Sequence, residues 1–261
     1  MQLSQIWLYP IKSCRGIQLA EAELDERGLK YDRHWMVVTS AGQMVTLRDM
    51  PQLAQVTPQL LSDYLHVDAP GMPSLQLRYH SEGDKMQVRL WEGWAEATML
   101  PECTTWFQSY LKRDVYLVRV ASTTSRIASL EQRAQQLSFV DSSPLNLVGE
   151  ASLADLNERL GKPVTIEQFR PNLVFTGAAP YAEDSWQRLR IGAIKFLAYE
   201  ACERCMVVNI SVDGKYSKEP LATLASYRRS GRNVLFGVGI SHLQLGTLKV
   251  GDTIVVEEKH F

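Results

Sequence analysis

Short runs of alternating apolar and polar residues fill the first part of the chain, and turn residues separate them at regular intervals. Such alternation is typical of strands with one buried face. It predicts strands at residues 2–9, 17–24, 35–39, 44–47, 55–61, 64–67, 74–79 and 85–91. Ser40-Ala41-Gly42 predicts a hairpin turn between two of them. The pattern therefore favours an all-β barrel or sandwich at the N-terminus.

A mixture of helices and strands follows. Helical spacing of apolar residues predicts helices at residues 102–111, 152–160 and 220–229. Ser152 and Asp155 are spaced like a capping box, which predicts Ser152 as the N-cap of the second helix. Further strands are predicted at residues 115–120, 145–148, 173–176, 188–191, 194–199, 207–212 and 248–256, the last as a turned strand pair. The predicted fold class is mainly β with α (α+β), with a barrel-like domain at residues 1–120 and a second domain at residues 121–261 carrying a few covering helices.

The composition is that of an ordinary globular protein, with 261 residues, 45% of them apolar, and a formal net charge of −1. This balanced charge argues against a nucleic-acid or polyanion binder. No apolar run reaches transmembrane length, and the first residues lack the basic and apolar regions of a secretory signal. We therefore expect a cytoplasmic protein with free thiols and with neither membrane nor nucleic acid as a partner.

The chemically most distinctive stretch is a Cys-x-x-Cys pair, Cys202 and Cys205, between two predicted strands. Soft, ionisable sulfur held between rigid strands is a candidate reaction centre. A disulfide, a thioredoxin-like motif and a cysteine pair that only packs are the alternatives. A structural zinc site would need a second ligand pair, and Cys14 and Cys103 are isolated. A thioredoxin-like motif should open a helix, whereas the β-branched residues 207–212 predict a strand, so the motif alone leaves the choice open.

Segments that offer cations, hydroxyls or amides recur where predicted strands end or where the chain turns tightly. They are Lys12-Ser13, Arg33, Asp141-Ser142-Ser143, Arg170-Pro171-Asn172 and Arg204-Cys205. Cations, hydroxyls and backbone N–H groups are donors suited to phosphate and to other anions. If these segments converge, they form an anion pocket beside a thiolate. The alternative is a set of unrelated surface cations.

Several segments resemble one protein family, in the family's order along nearly the whole chain. They include Tyr9-Pro10-Ile11-Lys12-Ser13-Cys14-Arg15-Gly16, Asp32-Arg33-His34-Trp35, Phe169-Arg170-Pro171-Asn172-Leu173-Val174, Cys202-Glu203-Arg204-Cys205, Lys218-Glu219-Pro220-Leu221 and Lys249-Val250-Gly251-Asp252. The chain resembles the MOSC-domain proteins, in the branch with an N-terminal β-barrel domain that contains the bacterial YcbX-type proteins and the mitochondrial amidoxime-reducing component. The resemblance implies a MOSC N-terminal β-barrel domain at residues 1–120 and a MOSC β-barrel domain at residues 121–261.

The resemblance also implies a cofactor and a set of site residues. Proteins of this family bind a molybdenum cofactor (Mo-molybdopterin), a pterin with a dithiolene and a terminal phosphate. Cys205 stands at the position of the molybdenum ligand, and a soft thiolate suits this metal. The positions that bind the pterin and phosphate are Lys12, Ser13, Arg33, Ser142, Ser143, Arg170, Asn172 and Arg204. Asp141 stands where an acidic residue faces the metal site, a position from which it could relay a proton, so Cys205 and Asp141 are the candidate catalytic residues.

The activity implied is reduction of N-hydroxylated compounds, such as amidoximes and hydroxylamines, to amidines and amines. The alternative is a sulfur-carrier or cofactor-delivery module without substrate redox activity, as found among other MOSC domains. Two positions depart from the relatives. Glu203 stands where serine is usual, and Gly239 stands where the mitochondrial members carry tyrosine. These departures predict a more open site.

Electrons should come from a separate protein. No Gly-x-Gly-x-x-Gly follows a predicted strand, so direct use of NADH or NADPH is not expected. The four cysteines do not have the spacing of an iron–sulfur site. Some relatives continue into a ferredoxin-like domain, whereas this sequence ends at Phe261, directly after its last predicted strand. The expected partner is therefore a flavin or iron–sulfur reductase.

Overall fold

Strands predominate in the computed structural model, which describes residues 1–91, 93–124, 126–130 and 133–259. The strands are β1 (Gln2–Leu8), β2 (Ile17–Leu19), β3 (Glu21–Asp25), β4 (Gly28–Leu29), β5 (Trp35–Thr39), β6 (Thr57–Leu60), β7 (Tyr64–Asp68), β8 (Leu75–Arg78), β9 (Lys85–Arg89), β10 (Trp94–Met99), β11 (Val115–Val120), β12 (Ile127–Leu130), β13 (Arg133–Gln136), β14 (Leu145–Gly149), β15 (Leu173–Thr176), β16 (Trp186–Ile191), β17 (Ile194–Glu203), β18 (Arg229–Ser230), β19 (Asn233–His242), β20 (Gly246–Lys249) and β21 (Ile254–Lys259). The helices are α1 (Pro101–Leu111), α2 (Glu150–Arg159) and α3 (Leu221–Tyr227), with 3₁₀ helices at Pro51–Gln55, Ile166–Phe169, Ala182–Ser185 and Met206–Asn209. The predicted fold class, mainly β with α, is confirmed.

The largest sheet runs in the order β2-β1-β15-β14-β19-β17-β16-β21, with β18 paired to β19. β14 and β15 are parallel, whereas β1 is antiparallel to β15 and β19 is antiparallel to both β14 and β17. Its core contains fully buried side chains such as Ile6, Leu147, Leu173, Phe196 and Ile240. The first two strands of the chain thus share a sheet with strands from the C-terminal half. The division at residue 120 stays a prediction.

The remaining described strands form smaller open sheets, in the orders β5-β11-β10-β9, β6-β7-β8, β20-β3-β4 and β12-β13. A second core lies among the N-terminal strands and α1, and it includes Trp35, Val37, Leu65, Phe107 and Leu117. None of the helices within the described ranges is long and apolar enough to cross a membrane. The described N-terminal strands therefore form small open sheets, and hydrogen bonding does not close their edges into a barrel.

The prediction that Ser152 is the N-cap of α2 is wrong. The helix begins at Glu150, after Gly149 in the N-cap position. The buried Ser152 hydroxyl donates to the Glu183 carboxylate at 2.9 Å and accepts from the Tyr181 backbone N–H at 2.8 Å. The same carboxylate accepts from the Gly149 N–H at 3.1 Å. A carboxylate from the 3₁₀ helix Ala182–Ser185, rather than a local side-chain cap, thus accepts hydrogen bonds at the start of α2.

Two predictions in the last third of the chain are also wrong. Residues 207–212 were predicted as a strand, but Met206–Asn209 is a 3₁₀ helix. The Asn209 side chain accepts from the Leu221 N–H at 2.9 Å and so holds this turn against the start of α3. This tertiary contact overrides the β propensity of the two valines. Residues 248–256 do not form a strand pair, because β20 pairs with β3 and β21 pairs with β16.

Differences in the N-terminal part have local causes. Residues 44–47 form no regular strand, and Met44 makes an isolated bridge to Val38. The pattern did not predict β10, which pairs with β9 and β11. Its inward residues, Ala95 and Ala97, are small and give a weak apolar signal. The polar stretch after β11, left unassigned from the sequence, contains the β12-β13 hairpin.

Candidate functional site

A cavity of about 1380 Å³ brings all the predicted site residues together. Its lining includes Lys12, Ser13, Arg33, Asp141, Ser142, Ser143, Arg170, Asn172, Arg204 and Cys205. The alternative that these cations are unrelated surface residues is therefore wrong. What each residue can contribute follows from its contacts.

The order of the large sheet explains the convergence. β1 is antiparallel to β15, and β15 is parallel to β14, so β1 ends where the other two strands begin. The loop after β1 carries Lys12 and Ser13, and the loops before β14 and β15 carry five more of the predicted residues. The cysteine motif lies at the end of β17, with Cys202 and Glu203 in the strand and Arg204 and Cys205 directly after it. Its Arg204 donates to the backbone oxygens of Phe169 at 2.9 Å and Phe236 at 2.8 Å, which ties the motif to the same cavity.

Arg33 and Arg170 lie against one buried aromatic ring. Their guanidinium carbons are 4.3 Å and 4.4 Å from the centroid of Tyr9, which offers both a cation–π contact. Arg33 also donates to the Asp32 carboxylate at 2.6 Å and to the Arg170 backbone oxygen at 2.9 Å. Burial, and secondarily the neighbouring Arg33, lowers the pKa of Arg170 to about 10. The Arg170 guanidinium therefore remains charged at neutral pH, next to that of Arg33 on the same ring.

The loops that hold these residues have strained backbones. Ser13, Arg33 and Arg170 have φ values of 70°, 47° and 53°, in the left-handed region that residues with a Cβ seldom adopt. Such positions cost on the order of 1–3 kcal/mol each and persist where the surroundings fix them. The Ser13 hydroxyl accepts from the Leu47 backbone N–H at 3.2 Å, and the Arg33 backbone N–H donates to the Tyr9 backbone oxygen at 2.8 Å. These contacts hold the donors in place in advance of any ligand.

Two buried donors on residues that line the cavity have no acceptor. The Nη2 atoms of Arg170 and Arg204 are buried, and no partner for either lies among the described residues. A buried donor without a partner costs about 1–3 kcal/mol, and more when it is charged. Native proteins seldom leave such groups unsatisfied without a reason. The residues present therefore fit an anionic ligand with several acceptor oxygens, such as a phosphate-bearing cofactor.

Apart from Lys12 and Arg48, the cations that line the cavity fall into two groups. The inner cation group, Arg33, Arg170 and Arg204, is held by Tyr9 and by backbone oxygens as described above. The rim cation group is Lys218, Arg229 and Arg232, which are exposed. Within the described ranges no carboxylate forms a salt bridge with any member of the rim group. The sequence predicted no site role for the rim group: Lys218 stands in one of the family-like segments, whereas Arg229 and Arg232 belong to none of them.

Lys12 and Asp141 form an ion pair at the cavity wall. The Lys12 ammonium donates to Asp141 Oδ1 at 2.5 Å and to the Phe139 backbone oxygen at 2.7 Å. Trp91 Nε1–H donates to the same Oδ1 at 2.9 Å. Burial lowers the pKa of Lys12, with Asp141 acting against that shift. Enclosure by the cavity opposes ionisation of Asp141, but Lys12 and Trp91 outweigh it and hold the pKa of Asp141 well below its usual range.

The four cysteines differ in access. All are free, and Cys14, Cys103 and Cys202 are buried, whereas Cys205 is exposed. Burial raises the pKa of Cys202 to about 11, against the opposing effect of Arg204, so it stays a thiol. Cys205 stands at the start of the short 3₁₀ helix, and Arg48 Nη2 donates to its sulfur at 2.9 Å. No group of three His, Cys, Asp or Glu that could hold a metal occurs among the described residues.

The two departures from the relatives have structural counterparts. Glu203 is exposed, and its carboxylate accepts a hydrogen bond from the Asn233 amide on the neighbouring strand. A Cβ at Gly239 would lie 2.8 Å from the Ser143 hydroxyl and 2.9 Å from the Glu200 side chain. Ser143 and Glu200 thus occupy the space into which a side chain at this position would extend, so a tyrosine there would require both to move.

Comparison with known proteins gives the family. A model described as "MOSC N-terminal beta barrel domain" matches residues 1–114, and one described as "MOSC domain" matches residues 134–255. The chain is 37% identical to mitochondrial amidoxime reducing component 2 of Rattus norvegicus, over 97% of this chain and 82% of the relative. It is 36% identical to mitochondrial amidoxime-reducing component 1 of Homo sapiens with the same coverage. Molybdenum cofactor sulfurase of Oryza sativa is 34% identical over 93% of this chain and 32% of its own length. The chain therefore belongs to the MOSC proteins that carry the N-terminal MOSC β-barrel domain, the family of the mitochondrial amidoxime-reducing components.

Proposed function

We propose that this protein is a molybdenum-cofactor-dependent reductase of N-hydroxylated compounds. The observation that carries the proposal is the pair of buried, unpaired guanidinium donors on Arg170 and Arg204 in the same cavity as the exposed Cys205 thiol. Donors of this kind suit the phosphate and pterin of the cofactor, and an exposed thiolate suits its metal. When bound, the cofactor supplies two-electron redox chemistry at a metal centre.

Different residues of the cavity would bind the cofactor, ligate the metal and transfer a proton. The inner cation group, with Lys12, Ser13 and the hydroxyls of Ser142 and Ser143, would hold the anionic cofactor, and the Asn172 amide would add a further polar contact. Cys205 would be the protein's ligand to the metal. The Lys12–Asp141 pair would hold and move a proton beside it, since the ammonium already donates to Asp141 Oδ1.

The relatives support the substrate class. The rat and human relatives are named for amidoxime reduction, and each matches the chain over 97% of its length. We therefore propose amidoximes and hydroxylamines as substrates. The electron donor proposed is a separate flavin or iron–sulfur protein. The cytoplasmic location expected from the sequence stays a prediction, since these relatives are named as mitochondrial.

A second function has one observation in its favour. The rice relative is named as a molybdenum cofactor sulfurase, and an exposed cysteine such as Cys205 can carry sulfur as well as bind a metal. The alternative is therefore a sulfur-carrier or cofactor-delivery module without substrate redox activity. It makes a different prediction for the purified protein, because a carrier releases its cargo and reduces no N-hydroxylated compound.

The experiment that separates the two functions uses protein made in a host that synthesises the cofactor. Molybdenum content is measured first, and reduction of benzamidoxime is then measured with reduced viologen as a chemical donor. A reductase turns over in proportion to its bound molybdenum, and NADPH alone supports no turnover until a reductase is added. Molybdenum-loaded protein that reduces neither amidoximes nor hydroxylamines would contradict the proposal. Rapid turnover with NADPH as the only reductant would contradict the need for a separate donor.

A further inference from the structure

A half-exposed indole lies in the cavity beside the candidate reaction centre. Trp91 is 51% exposed and lines the cavity. Its Nε1–H donates to Asp141 Oδ1 at 2.9 Å, and the Arg48 guanidinium carbon lies 4.9 Å from its ring centroid. A hydrogen bond at the edge of the ring and a cation against it fix its orientation. Half of a large apolar surface nevertheless remains open.

Arg48 contacts both the indole and the sulfur of Cys205. Its Nη2 donates to Cys205 Sγ at 2.9 Å, and its guanidinium carbon lies 4.9 Å from the centroid of the Trp91 ring. The two contacts place the ring centre no more than about 9 Å from the sulfur. A compound that reacts beside Cys205 therefore has the indole within reach of its other end.

Asp141 adds a polar contact at the edge of this surface. Its Oδ1 already accepts from Lys12 and Trp91, whereas its Oδ2 has no partner among the residues that the structure describes. A carboxylate oxygen with free acceptor capacity suits an N–H group of a substrate. The indole and Oδ2 together present a flat apolar surface with an acceptor at its edge. An aryl amidoxime has the complementary form, a planar conjugated ring with N–H and O–H donors at one end.

We propose that Trp91 is the substrate-stacking residue of this cavity and that it makes the enzyme select planar aromatic N-hydroxylated compounds over aliphatic ones. The proposal rests on the reductase function proposed above. Stacked aromatic pairs gain affinity beyond the area they bury, and an aliphatic compound with the same N–O group has no ring to stack. The selectivity therefore comes from the part of the substrate that does not react.

Binding without turnover tests the proposal directly. Benzamidoxime and acetamidoxime share the reacting group and differ in the ring, so each is titrated calorimetrically into molybdenum-loaded protein with no electron donor present. We expect Trp91→Leu to weaken benzamidoxime binding about fivefold to tenfold and acetamidoxime binding less than twofold. Trp91→Phe keeps a ring but loses the bond to Asp141, and it should stay within about threefold of wild type for both compounds. The matched control is Trp94→Leu, because Trp94 is 54% exposed, stands on the same hairpin and lies outside the cavity lining.

The outcomes separate this inference from the proposed function. Equal weakening of both compounds in Trp91→Leu would overturn the stacking role, and so would no weakening of either. Trp91→Phe as weak as Trp91→Leu would assign the effect to the hydrogen bond with Asp141 and would also overturn it. With reduced viologen as donor, Trp91→Leu should lower the ratio of kcat/KM for benzamidoxime to that for acetamidoxime by the same fivefold to tenfold. A wild type that binds benzamidoxime through Trp91 but reduces neither compound would contradict the reductase function and leave the stacking site in place.

Discussion

The two cation groups of the cavity carry the same charge but differ in how the protein holds them. The inner group is fixed by Tyr9, by Asp32 and by backbone oxygens, and two of its N–H donors are buried without acceptors. The rim group is exposed, and no salt bridge holds it within the described ranges. Charge in a surface cation is screened by water and salt, whereas a buried, pre-oriented donor retains its strength. From this comparison we expect position, rather than the number of charges, to decide which cations bind the proposed cofactor.

The largest effect should come from the exposed thiol of Cys205, which lines the same cavity. We expect Cys205→Ser to reduce molybdenum content to background and viologen-driven turnover at least about 100-fold, because a hydroxyl is a poor ligand for a soft metal. Metal analysis and the benzamidoxime assay check both. Cys202→Ser is the control, since that thiol is buried and three positions away, and most activity should remain. Equal molybdenum content and activity in Cys205→Ser and wild type would contradict the assignment.

A change in the inner group should weaken binding without harming the fold. Arg170→Met removes hydrogen bonds to an anionic ligand worth about 1.5–3 kcal/mol, roughly a 10- to 150-fold loss of cofactor affinity. The cofactor-free variant should unfold at the same temperature as wild type or higher, because a buried, unpaired charge beside Arg33 is gone. Activity per bound molybdenum should stay near normal.

Cofactor titration and thermal unfolding measure the two halves of this prediction. Arg159→Met is the matched control, because Arg159 is half exposed and pairs with Asp155 on the surface of α2. Its affinity for the cofactor should not change. An Arg170→Met protein with full cofactor occupancy and no turnover would show that Arg170 serves the reaction rather than binding.

The inner group could be predicted from the sequence because its signal is local. Arg33, Arg170 and Arg204 stand at the ends of predicted elements, next to residues that resemble the family's motifs. The order of the large sheet, in which β1 ends where β14 and β15 begin, brings the loop that carries Arg170 to the loop after β1. Arg33 and Arg204 join it through hydrogen bonds to the backbone oxygens of Tyr9 and Phe169, which the strand order alone does not predict.

Other parts of the site had no local signal. Arg48 contacts Cys205 although 157 positions separate them, and Trp91 meets Asp141 across 50 positions. Neither residue belongs to a motif, so only the fold shows that it lines the cavity. The strand predicted at residues 207–212 was wrong for a similar reason, because the contact that sets the turn comes from α3. Propensity describes a segment by itself, and such contacts decide between two local options.

The Lys12–Asp141 ion pair lies at the cavity wall, and its contribution to the free energy of unfolding should depend on pH. The pKa of Asp141 is held below its usual range in the folded protein, so its stabilising contribution is present above the unfolded pKa of about 3.9. That contribution is lost as the pH falls below about 4 toward the pKa that Asp141 has in the folded protein. Asp141→Asn should therefore unfold a few degrees below wild type at neutral pH, and the difference should shrink below about pH 4. Thermal unfolding across pH measures it, and a difference that grows in acid would contradict the ion pair as its source.

The smallest effect should come from the rim group, and it tests the comparison most directly. Arg232 is exposed and forms no salt bridge with a described residue, so it acts on an anion in the cavity only through screened charge. We expect Arg232→Ala to weaken cofactor binding by no more than about threefold at low ionic strength, and the difference should disappear at about 0.5 M salt. Arg170→Met should keep most of its loss at the same salt, because its donors are buried. Titration of both variants at low and high salt provides the measurement. A salt-resistant loss in Arg232→Ala as large as that in Arg170→Met would mean that the rim binds the cofactor directly, and the distinction between the two groups would fail.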